Sequence, residues 1–455
     1  MTTGASVWTG NRLMARVARS SSFIILGYGG SQAMRLAANL ILTRLLFPEA
    51  FGLMALITVV TVGLAMFSDV GIGPSIAQSR RGDDQAFLDT AWTVQVMRGF
   101  ALWAVACLAA YPVAQFYGDA ALMTYLPLAG AALAVAGFNP TRIETAHRHL
   151  LMGRLTLLDL AAQALGIASM IALAMVLQSV AALVIGGVLQ ALAKLVLTHL
   201  FLPGPANRFH WERAALRELV GFGKWIFLST ALWFVASQGD RAILGKFLTL
   251  EWLGVYNIGY FLASFPMLLG SAVSGRIFLP VYRETGAATG DAGSRKLRVL
   301  RFGLTGAVLV LLAVMALAGP ALVGVLYDAR YAAAGAMVVL IACMLMPQVI
   351  GLSYDQAALA AGDSWRFFIF CALRAVAQVS CLLVGAVQYG LMGAILGMGV
   401  AGVIVHPALV WLARRHRVWD PLHDGVYAAL ALVFGGGAVW LNWAAVIAMA
   451  EIVTG

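Results

Sequence analysis

Apolar runs long enough to cross a hydrocarbon core of roughly 30 Å recur along the whole of this chain, from about residue 21 to residue 450. A backbone in lipid must satisfy its own hydrogen bonds, which leaves helices or a closed barrel, and runs of this length without strand-like alternation leave only helices. The composition agrees: 62% of the 455 residues are hydrophobic and 11% charged, against about one half and one quarter in soluble domains. The chain therefore reads as an all-α polytopic membrane protein. Helices are expected at 21–45, 51–79, 90–116, 120–140, 155–177, 179–202, 218–246, 252–280, 298–326, 331–361, 364–387, 389–413 and 426–450.

Within these runs one stretch occurs twice. ILTRLLFPEAFG from Ile41 to Gly52 returns as ILGKFLTLEWLG from Ile243 to Gly254. At a constant offset of 202 residues Ile41/Ile243, Leu42/Leu244, Leu46/Leu248, Glu49/Glu251 and Gly52/Gly254 are identical, and Arg44/Lys246 keep the charge. Six helices separate the copies, an even number, so both start on the same side of the membrane and form a parallel repeat of the kind found in transporters. The expected organisation is a basic N-terminus over 1–20, an N-lobe over 21–202, a linker over 203–217, a C-lobe over 218–413, and a loop with one extra helix over 414–455. The linker, PGPANRFHWERAALR, is interrupted by proline, glycine and charge, and an amphipathic segment is expected there.

The net charge of +10 invites a nucleic-acid reading, but its distribution argues otherwise. Arginines and lysines fall on alternate loops: Arg12, Arg16 and Arg19, then Arg80 and Arg81, Arg208 to Arg217, Arg283 to Arg301, and Arg414 to Arg417. The other set of loops holds only Arg44, Lys246 and Arg330. By the positive-inside rule the N-terminus is cytoplasmic, and the surplus charge records orientation. The four cysteines lie in apolar runs without paired spacing and read as packing residues. No cleavable leader is expected, because the first apolar run is interrupted by Arg35.

Ionisable groups in lipid cost roughly 2.5 to 3.5 kcal/mol each near a helix centre, so those retained should face protein or water. In helix one Tyr28, Gln32, Arg35 and Asn39 recur on one face. Thr230, Trp233, Ser237 and Arg241 repeat the pattern in helix seven beside Asp240, and helix eight adds Asn257, Tyr260 and Ser264. Arg35 and Arg241, with Arg276 and Lys224, suit phosphate oxygens, since guanidinium binds phosphate in bidentate fashion. Gln32, Asn39 and Tyr260 complete the candidate cavity. The competing reading is internal neutralisation: Arg241 by Asp240 or Asp69, Arg374 by Asp355, and Arg98, Lys194 and Asp159 within their lobe, with Lys194 snorkelling as a further option. Asp69, Asp240 and Asp355 are the candidate coupling carboxylates. Gly71, Gly73 and Pro74 soften one turn of helix two and read either as a hinge or as a packing site. There is no GxxxxGK phosphate loop, and His147-Arg-His149 lacks a supporting ligand set. His199 and His406, near helix ends, read as interfacial.

LTRLLFPEAFGLMA from Leu42, SDVGIGPSIAQSRR from Ser68, AQFYGD from Ala114, NPTRIETAHRHLLMGRLTLLD from Asn139, FGKW from Phe222, DRAILGKFL from Asp240, LGVYNIGY from Leu253 and FLPVYRE from Phe278, in that order and spacing, resemble the bacterial polysaccharide exporters, the Wzx-like oligosaccharide-lipid flippases of the MOP superfamily. The resemblance implies a MOP/MATE-like fold and export of an undecaprenyl-pyrophosphate-linked oligosaccharide across the inner membrane by alternating access, with no enzyme step and no cofactor beyond a proton or sodium gradient. Partners would be the lipid-linked substrate, membrane lipids and the polysaccharide polymerase or export machinery. A MATE-like small-molecule antiporter would want an acidic cavity, against the basic residues here. A membrane polymerase would carry a sizeable periplasmic loop and an acyltransferase a central intramembrane histidine, and neither is seen.

Overall fold

The computed structural model of the protein describes residues 27–68, 71–149, 151–285 and 291–454. Described residues through Phe47, with Leu56–Ala231, make one compact unit; Pro48–Ala55, with those from Leu232 onward, make a second. Among the described residues all regular structure is helical. Nine helices among the described residues are long and apolar enough to cross a membrane, ten if one bent pair counts as a span.

In the first unit, α1 (27–45) leads through a two-residue turn into α2 (Pro48–Phe67). Pro48 occupies the first turn of α2, where its missing N–H costs nothing, and Glu49 sits at the positive end of the helix dipole. The expected helix over 51–79 is broken. Gly71 turns into the left-handed region at φ 65°, and α3 (Ile72–Gln78) restarts the chain. α4 (Gln85–Tyr117) begins earlier than expected because Asp84 caps it, accepting from the Ala86 N–H at 3.1 Å. The expected helix over 120–140 is α5 (Ala121–Gly137), followed at a 63° bend by α6 (Arg142–Arg148). α7 (Met152–Leu177) and α8 (Val180–Phe201) form the final hairpin.

The linker holds no separate amphipathic helix. Residues 203–212 are irregular, and α9 (Arg213–Phe247) runs on from them without a break into the next expected span. Its first turns carry the amphipathic character: Ala215 and Leu219 are buried against Ile72, Ile76, Phe87, Leu88 and Ala91. Asn207 ties the irregular stretch down through Thr141 Oγ1 at 2.7 Å and Asp89 Oδ1 at 3.2 Å.

The second unit continues through α10 (Leu250–Thr285), α11 (Asp291–Leu326), α12 (Ala334–Val349), α13 (Asp355–Ala360), α14 (Ser364–Arg415), α15 (Pro421–Leu441) and α16 (Trp443–Thr454). α12 is apolar on every face, and Met337, Val338, Val339 and Ile341 are fully buried, so it is the core against which the others pack. The expected helix over 331–361 corresponds to one candidate span, Ala329–Ala360, whose helical geometry changes along it. It changes to a 3-10 turn at Ile350–Ser353 before α13. The 52 residues of α14 would span about 78 Å if straight, far more than a bilayer core. They fold back instead: Tyr389 and Gly390 leave helical geometry, and an added Cβ on Gly397 would lie 2.3 Å from the Cys381 carbonyl oxygen. That contact pairs the two halves antiparallel, as the separate helices expected over 364–387 and 389–413 require. Helix thirteen begins at Pro421 rather than 426, under an Asp420 cap, and is interrupted at Asn442.

Both motif copies place a helix start in the second unit, and there they meet reciprocally. An added Cβ on Gly52 would lie 1.9 Å from the Leu250 carbonyl oxygen, and one on Gly254 would lie 1.9 Å from that of Pro48. Only glycine permits this approach of backbone to backbone, which explains why the same residue recurs at both positions.

Candidate functional site

Asp240 and Arg241 are neighbours on α9, and Tyr256, Asn257 and Tyr260 lie one turn apart on the adjoining face of α10. Asp240 is 4% exposed and Tyr256 is wholly buried; the Tyr256 hydroxyl donates to Asp240 Oδ2 at 2.8 Å. Arg241 donates from Nε to Asn257 Oδ1 at 2.7 Å and from Nη1 to the Ser237 carbonyl at 3.1 Å. Its guanidinium lies 4.8 Å from the Tyr260 ring centroid and 3.7 Å from Asp240 Oδ1. The cation is thus held by a carboxylate at longer range, two oxygen acceptors and an aromatic face.

Beside this cluster the second unit holds a half-open cavity of about 100 Å³, room for a few waters. Ser271, Gln348, Asp355, Arg374, Gln378 and His406 supply its polar lining. Arg374 donates to Gln348 Oε1 at 3.1 Å and stands 4.0 Å from Asp355 Oδ2, so its pairing with Asp355 is loose and one face of the guanidinium opens to the cavity. Asp355 Oδ1 has no hydrogen-bond partner among the described residues. Met398 joins cavity and cluster, lining the first and accepting from the Tyr256 hydroxyl at 3.8 Å.

The remaining sequence candidates divide. Arg35 and Arg276 are exposed, with no hydrogen bond or ion pair among the described residues. Gln32 is buried and donates to the Tyr28 hydroxyl at 3.0 Å; Gln32 Oε1 and Asn39 Oδ1 are buried without partners among the described residues. Ser31 and Gln163 exchange bonds of 2.6 and 3.0 Å, tying α1 to α7. Asp69 lies outside the described residues, and Lys224 lies on α9 with its side chain outside them. Gly73 leaves room for Glu144, whose Oε2 would be 2.7 Å from an added Cβ, and Pro74 sits in the first turn of α3. Lys194 pairs with Asp159 at 2.9 Å, and Arg98 donates to Ser68 Oγ at 3.0 Å; both line a cavity of about 300 Å³ in the first unit.

Two readings are corrected, while the expected pairing of Arg374 with Asp355 is present at 4.0 Å, with Arg374 also lining the cavity. His406 is a cavity-lining residue that reaches Asp424 at 3.4 Å, which a position near a helix end did not signal. Cys107, read as a packing residue, faces outward from α4.

Outside the spanning helices, Arg81 clasps Asp84 at 2.6 Å and Glu212 at 2.7 Å. Those hydrogen bonds hold both carboxyls below their ordinary range and raise the arginine. His149 at 2.8 Å, aided by Arg148, does the same for Asp83.

The family described as "Polysaccharide biosynthesis protein" matches residues 41–336. No curated protein matches the chain. The fold is similar to that of solved MOP superfamily structures. An inward-facing multidrug resistance MATE family transporter aligns with TM-score 0.63 at 15% identity, covering 85% of this chain and 94% of that one. Lipid II flippase MurJ, in an inward closed conformation, aligns with TM-score 0.65 at 11% identity over 95% and 97%. The Vibrio cholerae MATE transporter VcmN aligns with TM-score 0.58 at 16% identity over 91% and 99%.

Proposed function

The chain belongs to the polysaccharide biosynthesis protein family, and from that premise we propose that it is a flippase moving an undecaprenyl-pyrophosphate-linked oligosaccharide from the cytoplasmic to the outer leaflet of the bacterial inner membrane. The observation that carries the reading is a pair of guanidinium groups inside an apolar unit. Arg241 is stacked on Tyr260, and Arg374 faces a water-sized cavity. Pyrophosphate oxygens and sugar hydroxyls need such planar donors in a site of low dielectric, while a prenyl chain can stay in lipid. Arg35, exposed and without a described partner, is a third candidate, and Gln32, Asn39, Arg276 and Lys224 stay with it as proposed contacts. Transport proceeds by alternating access, with Gly71, Gly73 and Pro74 as the yielding point of the second span and Asp69, Asp240 or Asp355 as the coupling carboxylate. The loop charges put the N-terminus in the cytoplasm. Cysteines introduced at Tyr117 and Gln178 then react with an impermeant thiol reagent from outside, and ones at Gly82 and Asn207 do not.

The experiment is polymer export in cells, measured beside membrane abundance of each variant. A charge-assisted hydrogen bond contributes about 1.5 to 3 kcal/mol, so Arg241→Ala and Arg374→Ala should each lower export per molecule in the membrane about ten- to hundredfold. Arg→Lys variants, which keep charge but lose the fork, should fall between. Wild-type export by a well-accumulated Arg241→Ala, Arg374→Ala double variant removes the proposal.

A further inference from the structure

α15 is anchored by a buried polar network whose size exceeds what holding one helix requires. Asp424 accepts from the Tyr354 hydroxyl at 2.7 Å on Oδ1 and from the Trp419 indole N–H at 3.0 Å on Oδ2. His423 Nδ1 lies 3.0 Å from Oδ1, and its Nε2 lies 3.0 Å from Thr305 Oγ1. Behind Tyr354, Arg301 is 2% exposed. Its guanidinium lies 4.5 Å from the tyrosine ring centroid and donates to Ser353 at 3.1 Å and Tyr282 at 3.0 Å.

We propose that His406 is a proton-binding group of the second unit, taking its proton from water in the cavity and holding it against Asp424. His406 both lines the cavity and belongs to the network, its Nε2 3.4 Å from Asp424 Oδ2. The other members are unsuited to exchange. Tyr354 and Trp419 are fixed donors to the carboxylate, so Asp424 stands as the anion. His423 has no exposed surface and both ring nitrogens engaged, so it orients Asp424 and exchanges nothing with water. Arg301 balances Asp424 through the tyrosine.

Among the described residues, the charges near the network have other partners. Arg298 is bonded to Asp420 at 2.6 and 2.9 Å, and Arg414 lies over the Trp419 ring at 3.9 Å. Across the cavity stand Arg374 and Asp355. One proton enters as an imidazolium facing one fixed carboxylate, with no bond formed or broken elsewhere. The charged ring is drawn to Asp424, joining the second half of α14 to α15; the neutral ring is released toward the cavity. This deepens the transport reading by naming the proton as coupling ion, and rests on that reading only for the effect on export.

The test is histidine-selective nuclear magnetic resonance of the full chain in detergent micelles from about pH 5 to 8, where an imidazole changes charge. Among the signals of the seven histidines, the one that vanishes in His406→Gln should move with pH, and should do so over a more acidic range in Asp424→Asn, which removes the facing charge. If Asp424→Asn does not accumulate, Trp419→Phe replaces it. Freeing one carboxylate oxygen should then shift the range of the same signal upward. A His406 signal that does not move with pH, or whose range neither partner variant shifts, overturns the proposal. In cells, His406→Gln should abolish the response of export to collapse of the pH gradient by nigericin, and an unaltered response would overturn the coupling role. A titrating His406 in a protein whose loss leaves polymer export intact would count against the substrate and leave the proton site standing.

Discussion

The helix after the repeated motif is broken in the first copy and continuous in the second. α2 ends at Phe67 and α3 begins at Ile72, after Gly71 has turned left-handed. At the same offset of 202 residues α10 runs unbroken through Val273 and Arg276, which stand where the first copy has Gly71 and Pro74. The polar residues divide the opposite way. Asp240, Arg241, Tyr256, Asn257 and Tyr260 have Ala38, Asn39, Met54, Ala55 and Thr58 as counterparts, so the clasped guanidinium exists only in the second copy. What the copies keep in common, Gly52 and Gly254, is what lets their helix starts touch. The two copies share the backbone contact, while the left-handed turn and the charge cluster are each present in one copy.

That contrast can be broken at its common element first. Gly52→Leu or Gly254→Leu puts a side chain on a Cβ that would itself sit 1.9 Å from a carbonyl oxygen. Each should cost at least about 3 kcal/mol and lower membrane accumulation severely, by immunoblot and thermal melting. Melting of either variant at the wild-type midpoint would mean that the two helix starts do not touch.

Next in size is removal of what the second copy alone possesses. Arg241→Ala leaves the Asn257 oxygen and buried Asp240 without their cation and should destabilise by about 2 kcal/mol. The pair Asp240→Ala with Arg241→Asn, which converts the site to the residues of the first copy, should recover most of that loss and still not export. Equal melting of the single and paired variants would show that Asp240 and Arg241 are not coupled.

Gly71→Ala tests the break in the first copy. A left-handed conformation costs an L-residue about 1 to 2 kcal/mol, so melting should fall by that amount and export with it if the turn must yield. Val273→Gly, the reverse change in continuous α10, should cost about 1 kcal/mol and leave export near normal. If Val273→Gly impairs export more than Gly71→Ala, the assignment of the yielding turn to the first copy is wrong.

The smallest effect belongs to the loop clasp. Asp84 and Glu212 have folded values depressed by Arg81, so their stabilisation is present above the ordinary carboxylate range and is lost as pH falls through the lowered values. Proteolysis within 203–212 should therefore be slow at neutral pH, accelerate below about pH 4, and lose that dependence in Arg81→Gln. Acceleration on the alkaline side would contradict the sign.

Much of the fold could be read in advance because lipid removes alternatives. A long apolar run has to be helical, and the two halves of α14 were separable at Gln388, next to the break at Tyr389-Gly390, for that reason. Boundaries were harder to read where a cap or a glycine decided them, as at Asp84, Gly71 and Asp420. Of the candidate site, Asp240, Arg241 and Tyr260 were found by helical periodicity and do come together. The pairing of Arg374 with Asp355 was also expected; His406 and the network around Asp424 were not, because they join α11, the turn after α12, α14 and α15 across long sequence separations that no period connects.

The sequence alone determined that this is a helical membrane protein built from a repeated unit, because apolar length, charge on alternate loops and a 202-residue echo are properties of the chain taken in order. Only the tertiary structure decided which intramembrane charges are spoken for. Arg241 and Arg374 both lie within helices of the second unit, yet the first is clasped by Asn257 and Tyr260 and the second lines a cavity. The physical reason is that pairing a charge depends on ångström distances between side chains of different helices, and packing alone sets those distances.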